Sequence, residues 1–217
     1  MFDYRIGIDF SINSPAICIY DTKKESYQFV SFFNDGGRSA EKAIPAGAGL
    51  YEKLTENGVS LVRFSRSKPN SDYSSDQIIK IKEAFEVSQA ILAKLPKEGS
   101  IIYGLEGFSY GSKGNSFIDL IIFNSILRHA IYSNLKEGDD FRVLSPSQVK
   151  KKAGKGNANK LDMLNFFLRS GDPILLREDF WVFSNSQSSS LIQKGKIVKP
   201  IDDLVDAYFI CNALLEY

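Results

Sequence analysis

Three extended apolar runs follow one another at the start of the chain: Tyr4 to Phe10 (YRIGIDF), Ser14 to Asp21 (SPAICIYD) and Tyr27 to Phe33. A polar turn at Ser11, Ile12 and Asn13 joins the first two. Connections this short reverse a chain but cannot return it for parallel pairing, so the three runs read as an antiparallel meander. Whatever follows must be built onto a sheet that already has three strands.

From Asn34 to about Ser75 the pattern loosens, with Gly36, Gly37, Pro45, Gly47, Gly49 and Pro69 among many serines. We read this stretch as an irregular insertion holding one short apolar run, Val59 to Phe64. Asp76 to Leu95 spaces its apolar residues by three and four, as an amphipathic helix does, and Pro96 closes it. Ser100 to Glu106 (SIIYGLE) is a short buried-type strand. A helix from Ser116 to Tyr132 follows, apolar around most of its circumference and therefore suited to the core or to a subunit interface. A strand at Phe141 to Leu144, a helix-like run at Asn159 to Leu168 and a last one at Asp202 to Leu215, entered through Pro200, complete the order. Strands that form a meander and then alternate with helices predict an α/β fold with a mixed sheet flanked by helices. At 217 residues, one domain carrying the 34–75 insertion is the simplest organisation.

Composition removes some functions and leaves others open. With 27 basic against 26 acidic residues the net charge is +1, so attraction to a polyanion must come from local clustering. Cys18 and Cys211 are too few for a disulfide framework or a thiolate metal site, which favours a reducing, intracellular setting. No secretory signal is expected from Met1 to Arg5, which lead straight into a strand. No membrane span is expected either: the most apolar stretch, Phe117 to Tyr132, contains Asp119, Asn124, Arg128 and His129 and falls short of the ~20 residues a bilayer requires.

Carboxylates stand where apolar strands end. Asp9 closes IGID and Glu106 closes IIYGLE, each at a position where a cap or turn residue is the ordinary explanation. Two acids emerging from neighbouring buried strands would repel each other unless a cation lies between them. The last helix adds Asp203 and Asp206, spaced to share one face, with Asp202 as the register alternative to Asp203. Asp202 reads more simply as a residue favouring the helix N-terminus, whereas Asp206 lies deeper, before Ala207, Tyr208, Phe209 and Ile210. Carboxylate oxygens suit Mg²⁺ or Mn²⁺, and no Cys and His cluster suits zinc. A pair of such ions about 4 Å apart activates water and stabilises the leaving oxygen in phosphodiester cleavage.

Taken together, the strand-ending Asp in IGIDFS, the Glu in LEGFSYGSKG, the segment SPSQVKKKAGKGNANK and IDDLVDAY resemble, in order and spacing, the motifs of RuvC-like Holliday junction resolvases, particularly their phage-type relatives. The resemblance spans nearly the whole chain. It implies an RNase H-like mixed sheet, with the first three strands antiparallel and the later ones parallel, and a homodimer acting on branched DNA. By that resemblance Asp9, Glu106, Asp203 and Asp206 are the catalytic and metal-binding acids, with Mg²⁺ (or Mn²⁺) as cofactor, two ions to a site. The insertion at 34–75 and a polar segment from Phe183 to Lys199 depart from the family's compact pattern.

Lys150, Lys151, Lys152, Lys155 and Lys160 form a basic segment interleaved with Gly154, Gly156 and Asn157. Alone it reads as a solvated face; beside a phosphodiester-cleaving site it becomes a candidate DNA contact. AGKGNANK lacks the spacing and ending of a Walker A loop, so nucleotide hydrolysis is not supported. The loop after Glu106 (FSYGSKGN) adds Lys113 and two aromatics as further candidate contacts, although Phe108 suits the core equally well. His129, the one histidine, has no nucleophile placed beside it, and Trp181 reads as structural. Three other functions share some of these features. Another RNase H-like nuclease, acting on flaps, branched DNA or RNA, would use the same acids; a non-catalytic junction-binding protein would not need them. Actin-like sugar kinases also begin on Gly-Ile-Asp but need a second lobe and a phosphate loop that this chain lacks.

Overall fold

The computed structural model describes residues 2–11, 13–34, 50–67, 70–108, 115–171, 173–174, 191–193 and 196–217. Three strands form the expected meander: β1 (Tyr4–Asp9), β2 (Ala16–Asp21) and β3 (Ser26–Asn34), paired antiparallel with Ile6 opposite Ile19 and Ile17 opposite Val30. The insertion contributes more order than its composition announces. It holds a helix, α1 (Leu50–Glu56), anchored by the buried Leu50 and Leu54, and a strand, β4 (Ser60–Phe64), parallel to β3 at the sheet edge. Helix α2 (Tyr73–Leu92) begins at Asp72, whose carboxylate accepts from the Ser75 amide at 2.8 Å.

Beyond α2, β5 (Ile101–Glu106) pairs parallel to β1, α3 (Asn115–Tyr132) crosses back, and β6 (Asp140–Leu144) pairs parallel to β5. The strand order β4-β3-β2-β1-β5-β6 is thus antiparallel through the first three strands and parallel on the side that follows, as expected. Part of the basic segment folds as a short helix, α4 (Pro146–Lys151), started by a capping box in which Ser145 and Gln148 exchange side-chain and backbone hydrogen bonds. A second capping box, Asn159 with Asp162, starts α5 (Lys160–Ser170). Two short strands, β7 (Ile192–Gln193) and β8 (Lys196–Ile197), precede the last helix, α6 (Ile201–Ala213), and a 3-10 turn at Leu214–Glu216. Among the described residues no helix is long and apolar enough to cross a membrane.

Strand periodicity divides the core into two. Ile6, Ile8, Ile17 and Phe32 pack with α2 and α3 on one face of the sheet. Cys18, Phe29 and Ile102 pack with α1, α4, α5 and α6 on the other. The contact between β1 and α6 is unusually close: a Cβ on Gly7 would stand 2.3 Å from the Ala207 carbonyl oxygen and the Cys211 nitrogen. Only a residue without a side chain lets the α6 backbone rest there, and that contact sets the height and phase of the helix over β1. Cys18 and Cys211 are free, buried thiols in this layer.

Candidate active site

Alternation along β1 sends Ile6 and Ile8 to the α2–α3 face, and therefore Gly7 and Asp9 to the α6 face. On β5, Leu105 lies in the α2–α3 core while Ile102 and Gly104 face α6, which puts Glu106 on the α6 side as well. Because Ile8 is in register with Leu105 in a parallel pair, Asp9 and Glu106 leave the sheet side by side at its carboxyl-terminal edge. With α6 resting on Gly7, its first turns lie over this edge, bringing Asp203 and Asp206 to the same place.

Asp9, Glu106 and Asp206 line one cavity of about 300 Å³, together with Lys150 and Lys160. Asp203 is 1% exposed; one of its oxygens is held by Lys199, and Oδ2 has no hydrogen-bond partner. Lys160, the first residue of α5, pairs with Asp206 and reaches Asp202 at 2.9 Å, while Lys199 reaches Asp202 at 3.2 Å. Asp202 therefore bridges two ammonium groups, and Asp203 is the member of the pair turned into the protein. Of the remaining candidate contacts, Lys152 pairs with Glu216 and Lys155 with Asp162, both at 2.9 Å, and neither lines the cavity; nor does Lys151. Lys113 and Trp181 lie outside the described residues.

Electrostatically the cluster is short of positive charge, with five carboxylates against the ammonium groups of Lys150, Lys160 and Lys199. Burial, then the charges of Asp206 and Asp203, push the Asp9 carboxyl well above its ordinary range. Burial and Asp206 likewise raise Glu106. Asp203 is raised by burial against the opposing pull of Lys199. Asp206 rises to about 6, again through burial, with Lys160 opposing. For Asp202 burial acts in the same direction, but Lys160 and Lys199 outweigh it and its carboxyl is lowered. Both lysines are held above their ordinary values by these acids in spite of their own desolvation.

A divalent cation fits this donor set on chemistry: hard oxygens only, more acids than ammonium groups, and an orphaned buried oxygen on Asp203. In the arrangement described, Lys160 and Lys199 occupy the acidic oxygens, and among the described residues no three such side chains are grouped closely enough to hold an ion. A cation and the lysines would therefore compete for the same oxygens.

Two site residues carried a weaker sequence signal. Lys199 lies three and four residues before Asp202 and Asp203, across Pro200, where helical spacing is not evident from the sequence. Asn124, buried on α3 and lining the cavity, stands in a run so apolar that its polarity reads as tolerated rather than used.

The sequence matches no protein-family model and no curated protein. Among solved structures it is similar to that of Thermus thermophilus RuvC, at 12% identity over 96% of this chain and 90% of that one, with a TM-score of 0.42. It is also similar to T. thermophilus RuvC in complex with Holliday junction substrate, at 9% identity over 96% and 89% of the two chains, with a TM-score of 0.39. Neither likeness carries the reading of the site, which rests on the side chains themselves.

Proposed function

We propose that this protein is a metal-dependent endonuclease that cuts branched DNA at four-way junctions, a Holliday junction resolvase in activity. The observation that carries the reading is the convergence of Asp9, Glu106 and Asp206 from two parallel strands and a crossing helix onto one cavity that Lys150 and Lys160 also line. Asp9, Glu106, Asp203 and Asp206 would hold Mg²⁺ or Mn²⁺, which would supply an activated water and neutralise the charge that develops on the leaving oxygen. Lys150 and Lys160 would meet a phosphate in the same cavity and Lys151 would add to the positive surface beside it, while Lys152 and Lys155 would have to exchange their partners Glu216 and Asp162 for the backbone of the strand.

A homodimer is part of this proposal. On the opposite face of the sheet Ile78, Ile81 and Phe85 of α2 are each about half exposed, and Ile118 and Ile121 of the adjacent α3 are 55% and 36% exposed. Contiguous apolar surface of this kind marks an interaction site, and a second copy would cover it while pairing two cavities for two strands.

The test is incubation of a synthetic four-way junction, linear duplex, flap and RNA–DNA hybrid with Mg²⁺, Mn²⁺ or chelator. Paired, metal-dependent nicks in the junction alone are expected. Cutting of a different substrate would keep the site and change the role. Lysine pairing already satisfies Asp206 and one oxygen of Asp203. This favours a second reading, a non-catalytic junction-binding protein, which tight binding without cutting under any metal would establish.

A further inference from the structure

We infer that Asn124 reads one unpaired nucleobase seated beside the phosphate to be cut, an inference that rests on the proposed nuclease activity. Asn124 lies in the middle of α3, among Ile121, Ile122, Phe123, Ile126 and Leu127. It is 5% exposed, lines the cavity that holds Asp9, Glu106 and Asp206, and makes no hydrogen bond with any described residue. No described residue matches its two donors or its acceptor, which are left to whatever fills the cavity, and a leucine in the same place would offer none of them. The stripe of α3 that carries it is tied directly to the site. Four residues on, Arg128 donates to the Glu106 carbonyl at 3.3 Å and places its guanidinium 4.8 Å from the centre of the Phe108 ring.

The unmatched groups identify the occupant. A phosphate oxygen only accepts, so it would leave the amide oxygen of Asn124 unpaired. A base edge presents a donor next to an acceptor and matches both ends of the amide at once. The remaining walls suit the flat faces of a base, since Phe10, Phe108 and Leu120 line the same cavity. At about 300 Å³ the space stands at the lower limit of ligand sites, roughly 300 to 1,000 Å³, and admits one base rather than a base pair. The nucleotide must therefore be unpaired, as at a strand crossover, or turned out of its stack.

The test uses full-length protein and four-way junctions carrying 2-aminopurine, which keeps a donor beside a ring acceptor, at each position flanking the crossover, without metal. With wild type the fluorescence at one position is expected to rise on binding, and with Asn124→Leu the rise is expected to fall by more than half. In metal, junctions bearing each of the four bases at that position are expected to be cut by wild type at rates differing by about tenfold, and by Asn124→Leu within about twofold. Equal fluorescence for the two proteins, or a base preference that survives the substitution, would overturn the inference. An Asn124-dependent rise in a protein that cuts no junction would keep the base pocket and discard the nuclease. The leucine variant should melt at or above wild type; if it melts below, Asn124→Ala replaces it in both assays.

Discussion

The two faces of the central sheet are built from the same strands and solve opposite problems. On the α2–α3 face, Ile6 and Ile8 of β1 enter a largely apolar core, in which the buried Glu83 is paired with Arg66, and what is unusual lies outside it, in the exposed Ile78, Ile81 and Phe85. On the α6 face, Gly7 and Asp9 of the same strand enter a layer whose centre is apolar but whose edge gathers five acids and three lysines. One face leaves apolar area in water and the other takes charge out of it. Both are costs to an isolated folded chain, and the proposed function would offset each of them, with a second copy on the first face and a cation and a phosphodiester on the second.

The sharpest way to break this contrast is to remove charge from the acidic edge without changing its shape. Asp9→Asn or Glu106→Gln should lower metal-dependent junction cleavage by more than about 100-fold, since first ligands matter at least as much as the groups that support them. Junction binding in chelator, measured by gel shift, should stay near wild type, because in the proposed function lysines rather than acids would meet the phosphates. Normal cutting by both variants would refute the assignment of the site.

Next in size is the contact that brings the α6 face together. Gly7→Val forces a side chain into the α6 backbone and should cost about 3 kcal/mol, a drop of roughly 6–12 °C in melting temperature, with loss of cleavage as Asp203 and Asp206 leave the β1 edge. Gly104→Ala on the neighbouring strand meets only flexible side-chain atoms of Leu214 and Ile210, at 3.0–3.2 Å, and should cost distinctly less. Equal losses measured by calorimetry would show that α6 is not seated on Gly7.

A third effect separates the faces by pH. Asp206 titrates near 6 in the folded protein against an ordinary value of 3.8, so its protonated form is the one the fold favours. Its contribution to stability is complete below about pH 4 and is lost as pH rises through about 6. The metal-free protein should accordingly melt lower at pH 7.5 than at pH 5. Saturating Mg²⁺ should restore roughly 5–10 °C at pH 7.5 and less at pH 5, where protons compete for the same oxygens. A Mg²⁺ shift that is the same at both pH values, or absent, would argue against ion binding by these acids.

The smallest expected effect on the fold itself belongs to the other face. Ile81→Glu with Phe85→Glu should change monomer stability by less than about 1 kcal/mol, because both side chains are about half exposed. Light scattering should show the double variant at half the mass of the wild type. A wild type that is already monomeric would remove the dimer from the proposal.

Much of this contrast is legible in the sequence. Asp9 and Glu106 stood out because each ends a run of apolar residues, and a period of two fixes which face an end residue takes once its neighbours are buried. Asp206 stood out for its depth in an apolar helix. The choice between Asp202 and Asp203 stayed open, since a helix spaces its residues without saying how it is turned toward a sheet. Helix α1 was hidden by the glycines, prolines and serines around it, and it exists because Leu50 and Leu54 find a core that local composition does not reveal.

What the sequence determined by itself is therefore local and periodic: the meander, the alternation of helices and strands after it, and the acids at the ends of elements. Only the tertiary structure decided which acids meet, that Lys160 and Lys199 stand among them, and that Asn124 faces the cavity unpaired. The physical reason lies in distance along the chain. Asp9, Glu106 and Asp206 are brought together by β-sheet register and by a single close approach at Gly7, and neither leaves a signal in the spacing of residues so far apart.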